Sequence, residues 1–274
     1  MTELNGRILI IAGSDSSGGA GIQADIKAVT MLGGHAMTAI TAITAQDTMG
    51  VHSVLSVPSE MVVKQMIACF DDIGVDVIKT GMLGSADLVE SVAECLAEKA
   101  GLSARVIDPV MVATSGARLA DKKAVEAIRS ELIPGARLVT PNAPEAEVLT
   151  GKAVDTVDGQ RRAADNLLEQ GAHGVLVKGG HIGGGTIFDV LQTTTGEWVF
   201  ESRRLETRST HGTGCTLASA ISGLLARGVS LPEAVERGRE YVFGAIENAI
   251  GLGRGHGPLN HGWLLDDPDG RERD

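Results

Sequence analysis

RILIIAGSDSSGGAGIQADIKAVTMLGGHAMTAITAITAQ, residues 7–46, decides the fold. Arg7 to Ala12 is a nearly unbroken apolar run of strand length, the pattern of a strand covered on both faces. A glycine-rich turn follows, then helical spacing over Ile22 to Leu32, then a second strand from Ala36 to Thr44. Strand, helix, strand in this order predicts parallel pairing through a right-handed crossover.

The alternation continues outward. Helices are predicted over Ser59 to Asp72, Ala86 to Lys99, Lys122 to Leu132 and Ala143 to Leu149. The intervening strands are Val75 to Lys79, Arg105 to Asp108, Arg137 to Thr140, Gly174 to Val177 and Thr186 to Thr193. Trp198 to Leu205, after the turn at Thr195 and Gly196, closes a hairpin. Two helices, Thr216 to Arg227 and Pro232 to Ile250, finish the pattern. This order predicts an α/β fold with helices on both faces of a mostly parallel sheet. No linker or internal repeat divides it, so one domain is expected over 1–265, with a charged, frayed tail over 266–274.

Composition narrows the function. The chain has 274 residues, 43% of them hydrophobic, which supports a sizeable core and excludes disorder. A net charge of −11 argues against an electrostatic grip on nucleic acid. It does not exclude a nucleotide, whose phosphates backbone N–H groups and Mg²⁺ can neutralise locally. Cys69, Cys95 and Cys215 lack metal-ligand spacing, and they suit a reducing cytoplasm. The sequence shows neither a signal-like start nor an apolar run of membrane-spanning length, so a cytoplasmic protein without a membrane partner is expected.

In open parallel sheets, ligands collect at the carboxyl ends of the strands. The most informative group near such an end is STHGTGCT, Ser209 to Thr216, just before the apolar run Leu217 to Ala226. A glycine turn entering a helix leaves backbone N–H groups unpaired at the positive end of the dipole, a natural anion nest. Gly212, Thr213, Gly214 and Cys215 would form it. Asp25 lies one turn into the first helix, where it is either a ligand group or an exposed acid near the dipole. Gln46 ends the second strand and offers a donor and an acceptor to a heterocycle, or is simply a loop residue. Met82 suits a flat ring or a core position. Asp108, followed by Pro109 and Val110, suits Mg²⁺, which takes one or two carboxylates plus phosphate oxygens, or a turn cap. Asn142 and Glu145 fit a capping box with no further role, and Lys178 fits a nucleotide phosphate or a solvated strand end. His211, His256 and His261 read as hydrogen-bond fillers in glycine-rich turns.

AGSDSSGGAGIQAD, TAITAQ, KTGML, DPVMVATSG, TPNAPEAEVL, VKGGH, STHGTGCT and GRGHGPLNH occur in this order between Arg7 and Trp263. Together they resemble the ribokinase-like kinases, and within them the hydroxymethylpyrimidine (phosphate) kinases of thiamine synthesis. The resemblance implies a three-layer αβα sandwich, a homodimer, ATP with Mg²⁺, room for a monovalent cation, and a small pyrimidine alcohol as substrate. By the same resemblance Asp25, Gln46, Met82 and Val110 form the pyrimidine pocket, and Asp108 and Glu145 are the metal and phosphate acids. Lys178 and Asn142 fall on the ATP side, and Gly212 to Cys215 make the anion hole. Cys215 stands where ribokinase has an Asp base. A thiol at a helix N-terminus is expected to ionise easily and assist as base. The alternative is a pyridoxine or pyridoxal kinase of the same branch, whose members tend to read GAGC and to lack Gln46 and the Thr114-Ser115-Gly116 pattern. A vitamin-binding regulator without activity would have lost Asp108, Glu145, Lys178 or the nest.

Overall fold

The computed structural model describes residues 6–112, 116 and 119–266; Thr114, Ser115 and nearly all of the tail from 266 onward lie outside the described residues. A nine-stranded sheet runs through the molecule in the order β3-β2-β1-β4-β5-β6-β7-β8-β9. Its strands are β1 (Arg7–Asp15), β2 (His35–Asp47), β3 (Gly50–Ser56), β4 (Val77–Thr80), β5 (Ala104–Ile107), β6 (Leu138–Val139), β7 (Gly174–Val177), β8 (Thr186–Thr193) and β9 (Gly196–Arg203). Pairing is parallel from β2 through β1 to β7, and antiparallel for β3, β8 and β9 at the edges.

The helices are α1 (Gly21–Met31), α2 (Ser59–Ala68), α3 (Ala86–Lys99), α4 (Lys122–Ala127), α5 (Ala143–Thr150), α6 (Val157–Glu169), α7 (Thr213–Ala226) and α8 (Leu231–Glu247). Alternation along β1 divides the core. Leu9 and Ile11 pack with residues of α2, α3, α5 and α6, whereas Ile8, Ile10 and Ala12 pack with α1, α7 and α8. Both faces of β1 are therefore dry, as its sequence requires. Local signals start several helices: Ser85, Asp121 and Thr156 accept hydrogen bonds from Leu88, Ala124 and Gly159 N–H, respectively.

Two elements escaped the sequence reading. Strand β3 is almost wholly solvent-facing, so GVHSVLS has no buried alternate face to mark it. Helix α6 buries Ala163, Ala164 and Leu167, a face too small-sided to stand out among its charges. The predicted helices Ser59–Asp72 and Lys122–Leu132 each end in a wider π turn, Cys69–Ile73 and Ile128–Leu132. Helix α7 begins three residues before the predicted Thr216, so Gly214 and Cys215 belong to its first turn.

α7 is buried on nearly every side, which its apolar run announces. One polar link crosses its packing. Lys79, in mid-β4, is fully buried and lies 3.0 and 3.1 Å from the two oxygens of Asp25 on α1. Ser219 on α7 donates to the same carboxylate at 2.7 Å. Burial raises the Asp25 pKa and opposes the charge on Lys79, but the mutual attraction keeps the ammonium above its usual range. Three elements are thus tied at one charge pair beneath the carboxyl edge.

Removing one partner leaves an uncompensated buried charge. Lys79→Met should lower stability by about 3–5 kcal/mol, and adding Asp25→Leu should recover much of that loss. Urea unfolding checks both; equal destabilisation in single and double variants would contradict the pairing.

Candidate active site

The strand order reverses at β1, where β2 lies on one side and β4 on the other. The carboxyl ends of the parallel strands open into one cavity of about 1270 Å³, large enough for two reactants side by side. Gln46, Met82, Val110, Asp108, Asn142, Glu145, Lys178 and Gly212 to Cys215 all line it.

Gly212 begins the nest with φ +85, a left-handed turn, and a Cβ there would run into Gly19 O. The two glycine-rich loops therefore touch backbone to backbone, which only glycine permits. A Cβ on Gly214 would sit 3.3 Å from Lys178 Nζ, so the lysine head lies directly over the nest. Positive charge and helix-terminal N–H groups converge on one point, the arrangement that holds a phosphate.

Beside the lysine stands the acidic pair. Asp108 is 2% exposed. Its Oδ1 accepts from Thr140 Oγ1 at 3.1 Å and lies 3.3 Å from Lys178 Nζ, while its buried Oδ2 has no protein partner. A buried carboxylate oxygen left unpaired is costly unless a ligand completes it. Glu145 closes the predicted capping box: Asn142 N–H donates to Glu145 Oε2 at 2.8 Å, and Glu145 N–H to Asn142 Oδ1 at 2.9 Å. The cap reading is thus correct, yet both residues also face the cavity. Burial raises the Glu145 pKa to about 7, against the pull of Lys178, with Asp108 adding to the rise. Burial opposes charge on Lys178 too, but Asp108 and Glu145 hold its ammonium above the usual range. Two carboxylates, one with an orphan oxygen, fit Mg²⁺, which fills its other positions with phosphate and water oxygens.

Two expectations need correcting. Asp25 does not line the cavity; it is spent inside the Lys79–Ser219 cluster and is fully buried, so it supports the pocket from below. Nor does Cys215 ionise easily. It borders the cavity, but burial pushes the thiol up to about 12; Lys79 and a Gly21 N–H oppose the rise, and Asp25 and Asp108 add to it. Desolvation outweighs the helix start.

Other residues of the site were not foreseen. His211, read as a turn filler, is buried and lies 2.8 Å from Asp15 and 3.2 Å from Gln46. Asp15 itself accepts from Ser17 and from Gly19 and Ala20 N–H. An Asp before SSGG marks such a turn, which was the available signal. Lys79 carried a clue as well: a lysine inside a dry β-branched strand demands a buried acid.

Such a nest–lysine–carboxylate geometry at the switch point of an αβα sandwich defines a ribokinase-like phosphotransferase site. Residues 15–260 match the family model of phosphomethylpyrimidine kinase. Hydroxymethylpyrimidine/phosphomethylpyrimidine kinase of Streptomyces coelicolor is 48% identical over 94% of this chain and 95% of its own. The bifunctional thiamine biosynthesis protein ThiED of Geobacter sulfurreducens is likewise 48% identical over 98% of this chain, which spans 54% of that longer protein. Among solved structures, Bacillus subtilis pyridoxal kinase with ADP superposes with TM-score 0.87 at 37% identity, covering 94% of this chain and 98% of that one. Phosphomethylpyrimidine kinase of Clostridium difficile gives 0.78 at 40% identity, covering 88% and 99%. The chain belongs to the phosphomethylpyrimidine kinase family.

Two outcomes follow from the charges. Cys215 should alkylate slowly with iodoacetamide at neutral pH, its rate rising steadily to pH 10; a plateau near pH 7 would reveal a thiolate instead. Glu145 is protonated below about 7 and must lose that proton to bind a cation. Apparent Mg²⁺ affinity should therefore fall about tenfold per pH unit below that point, and Glu145→Gln should flatten the dependence. Titrating Mg²⁺ against rate at several pH values measures this.

Proposed function

We propose that the chain transfers the γ-phosphoryl group of ATP to the hydroxymethyl oxygen of 4-amino-5-hydroxymethyl-2-methylpyrimidine. A second transfer to the resulting monophosphate gives the pyrophosphate used for thiamine. The carrying observation is the unpartnered Asp108 Oδ2 beside Lys178 and the nest, a charge pattern that suits a metal-bound phosphate. Gln46 and Met82, both lining the cavity, suit the polar edge and the face of a small heterocycle.

In this reading the ring is held so that its hydroxymethyl oxygen points at the γ-phosphorus. Amides of Gly212 to Cys215 and the Lys178 ammonium face the non-bridging oxygens, where negative charge accumulates during transfer. Mg²⁺ held by Asp108 and Glu145 would neutralise further phosphate oxygens. The oxygen–phosphorus bond forms as the bond to the ADP oxygen breaks. In a loose transition state the alcohol proton leaves late, to an oxygen of the transferred phosphoryl group and then to water, so no strong base is required. Cys215, held as a thiol, serves through its amide and its packing rather than as the base. The second acceptor is already ionised at neutral pH and needs no deprotonation. Exposed Ile43, Val54 and Leu55 on the β2–β3 hairpin support assembly with a second copy.

The close superposition on a pyridoxal kinase favours one rival, phosphorylation of a pyridine alcohol. ADP release with each alcohol separates them. The pyrimidine alcohol should win by more than about tenfold in kcat/KM, the worth of one well-matched polar contact. Equal or reversed preference would overturn the assignment.

A further inference from the structure

Gln46 can hydrogen-bond a ring edge in either sense, because its carboxamide has the same shape after a half-turn. A glutamine free to turn would read a 4-amino ring and its 4-oxo counterpart alike, since these present opposite donor and acceptor orders. The neighbours of Gln46 remove that freedom.

On one side Gln46 Nε2 lies 3.2 Å from His211 Nε2, and His211 Nε2 is also 2.8 Å from Asp15 Oδ2. Asp15 already accepts from Ser17 and from backbone N–H groups of Gly19 and Ala20. Burial alone would raise its pKa, but these bonds together with His211 bring it below the usual range, so it is an acceptor only. His211 Nε2 must then carry a proton whether the ring is neutral or charged. Facing that N–H, Gln46 has to present its oxygen. On the other side Thr44 Oγ1 reaches both Ser14 O at 2.9 Å and Gln46 Oε1 at 3.2 Å, and we assign its single proton to the shorter contact, with Ser14 O. Thr44 can only accept from Gln46, so the amide nitrogen belongs there. Both constraints, reached independently, call for the same half-turn.

We propose that Thr44, His211 and Asp15 lock the Gln46 carboxamide in one sense, oxygen toward His211 and nitrogen toward Thr44, and so make the site selective for a 4-aminopyrimidine over a 4-oxopyrimidine. One N–H and one oxygen lone pair remain for the ligand, in fixed order. They match an exocyclic amine beside a ring nitrogen. The three residues act through Gln46 and are positioning residues. The inference rests on the kinase reading above and specifies what its pocket rejects.

The test measures kcat/KM for 4-amino-5-hydroxymethyl-2-methylpyrimidine and for its 4-oxo analogue in the wild type, Thr44→Val and Thr44→Ser. The wild type should prefer the amino ring by at least about a hundredfold, since a mispaired buried polar group is heavily penalised. Thr44→Val should compress that ratio by about tenfold, chiefly through KM for the oxo ring, as lost polar positioning predicts. Thr44→Ser should restore it. A ratio unchanged in Thr44→Val, with activity on the amino ring retained or uniformly reduced, overturns the lock alone. No turnover of either pyrimidine by the wild type overturns the kinase reading and the lock with it. If Thr44→Val does not fold, NMR on the wild type decides. Gln46 amide protons showing contacts to the Thr44 methyl support the lock, and contacts to the His211 ring instead refute it.

Discussion

The buried contact between Lys79 and Asp25 positions the site although neither residue lines the cavity. An ion pair removed from water is weak evidence of stability but strong evidence of specified position, because any displacement separates charges in a medium of low polarity. Here the pair joins β4 to α1, and Ser219 joins α7 to the same carboxylate. The first turn of α7 is the anion nest, so its position relative to the strand ends is fixed from beneath. From above, the left-handed turn at Gly212 seats against Gly19 O, so the first loop and the nest cannot move independently. Two glycine loops and one charge pair therefore fix the place proposed for the phosphoryl group.

The opposite charges meet at one point. Lys178 lies over the start of α7 and 3.3 Å from Asp108, with Glu145 acting on the same ammonium. Burial raises the Glu145 pKa to about 7 although Lys178 pulls it down, and Asp108 adds to the rise. The same burial that makes Glu145 reluctant to ionise keeps Cys215 protonated. A net charge of −11 over the whole chain is thus compatible with polyphosphate binding, since the positive field is local and built largely from backbone.

Much of this was legible in the residue order. Gly174–Val177, Thr186–Thr193 and Ala86–Lys99 were delimited without error: the first is a short apolar run before Lys178, and the last has a clear amphipathic period after the Ser85 cap. The parallel centre and its antiparallel edge hairpin followed from the alternation. Residues at strand ends were found because topology alone places such ends together. What stayed hidden depends on three-dimensional neighbours. Asp25 looked like a ligand group because its sequence gives no sign that Lys79, 54 positions away, would claim it. Cys215 looked acidic because a helix N-terminus is visible in sequence whereas desolvation is not. His211 looked incidental because Asp15 lies 196 residues away.

A structure with ADP, Mg²⁺, aluminium fluoride and the pyrimidine alcohol bears most directly on the role of the nest. Fluorides of the planar phosphoryl mimic should lie within hydrogen-bond distance of the amides from Gly212 to Cys215, with Asp108 on the metal side. A mimic held by Lys178 while those amides face only water would contradict the claim that the start of α7 neutralises the moving charge.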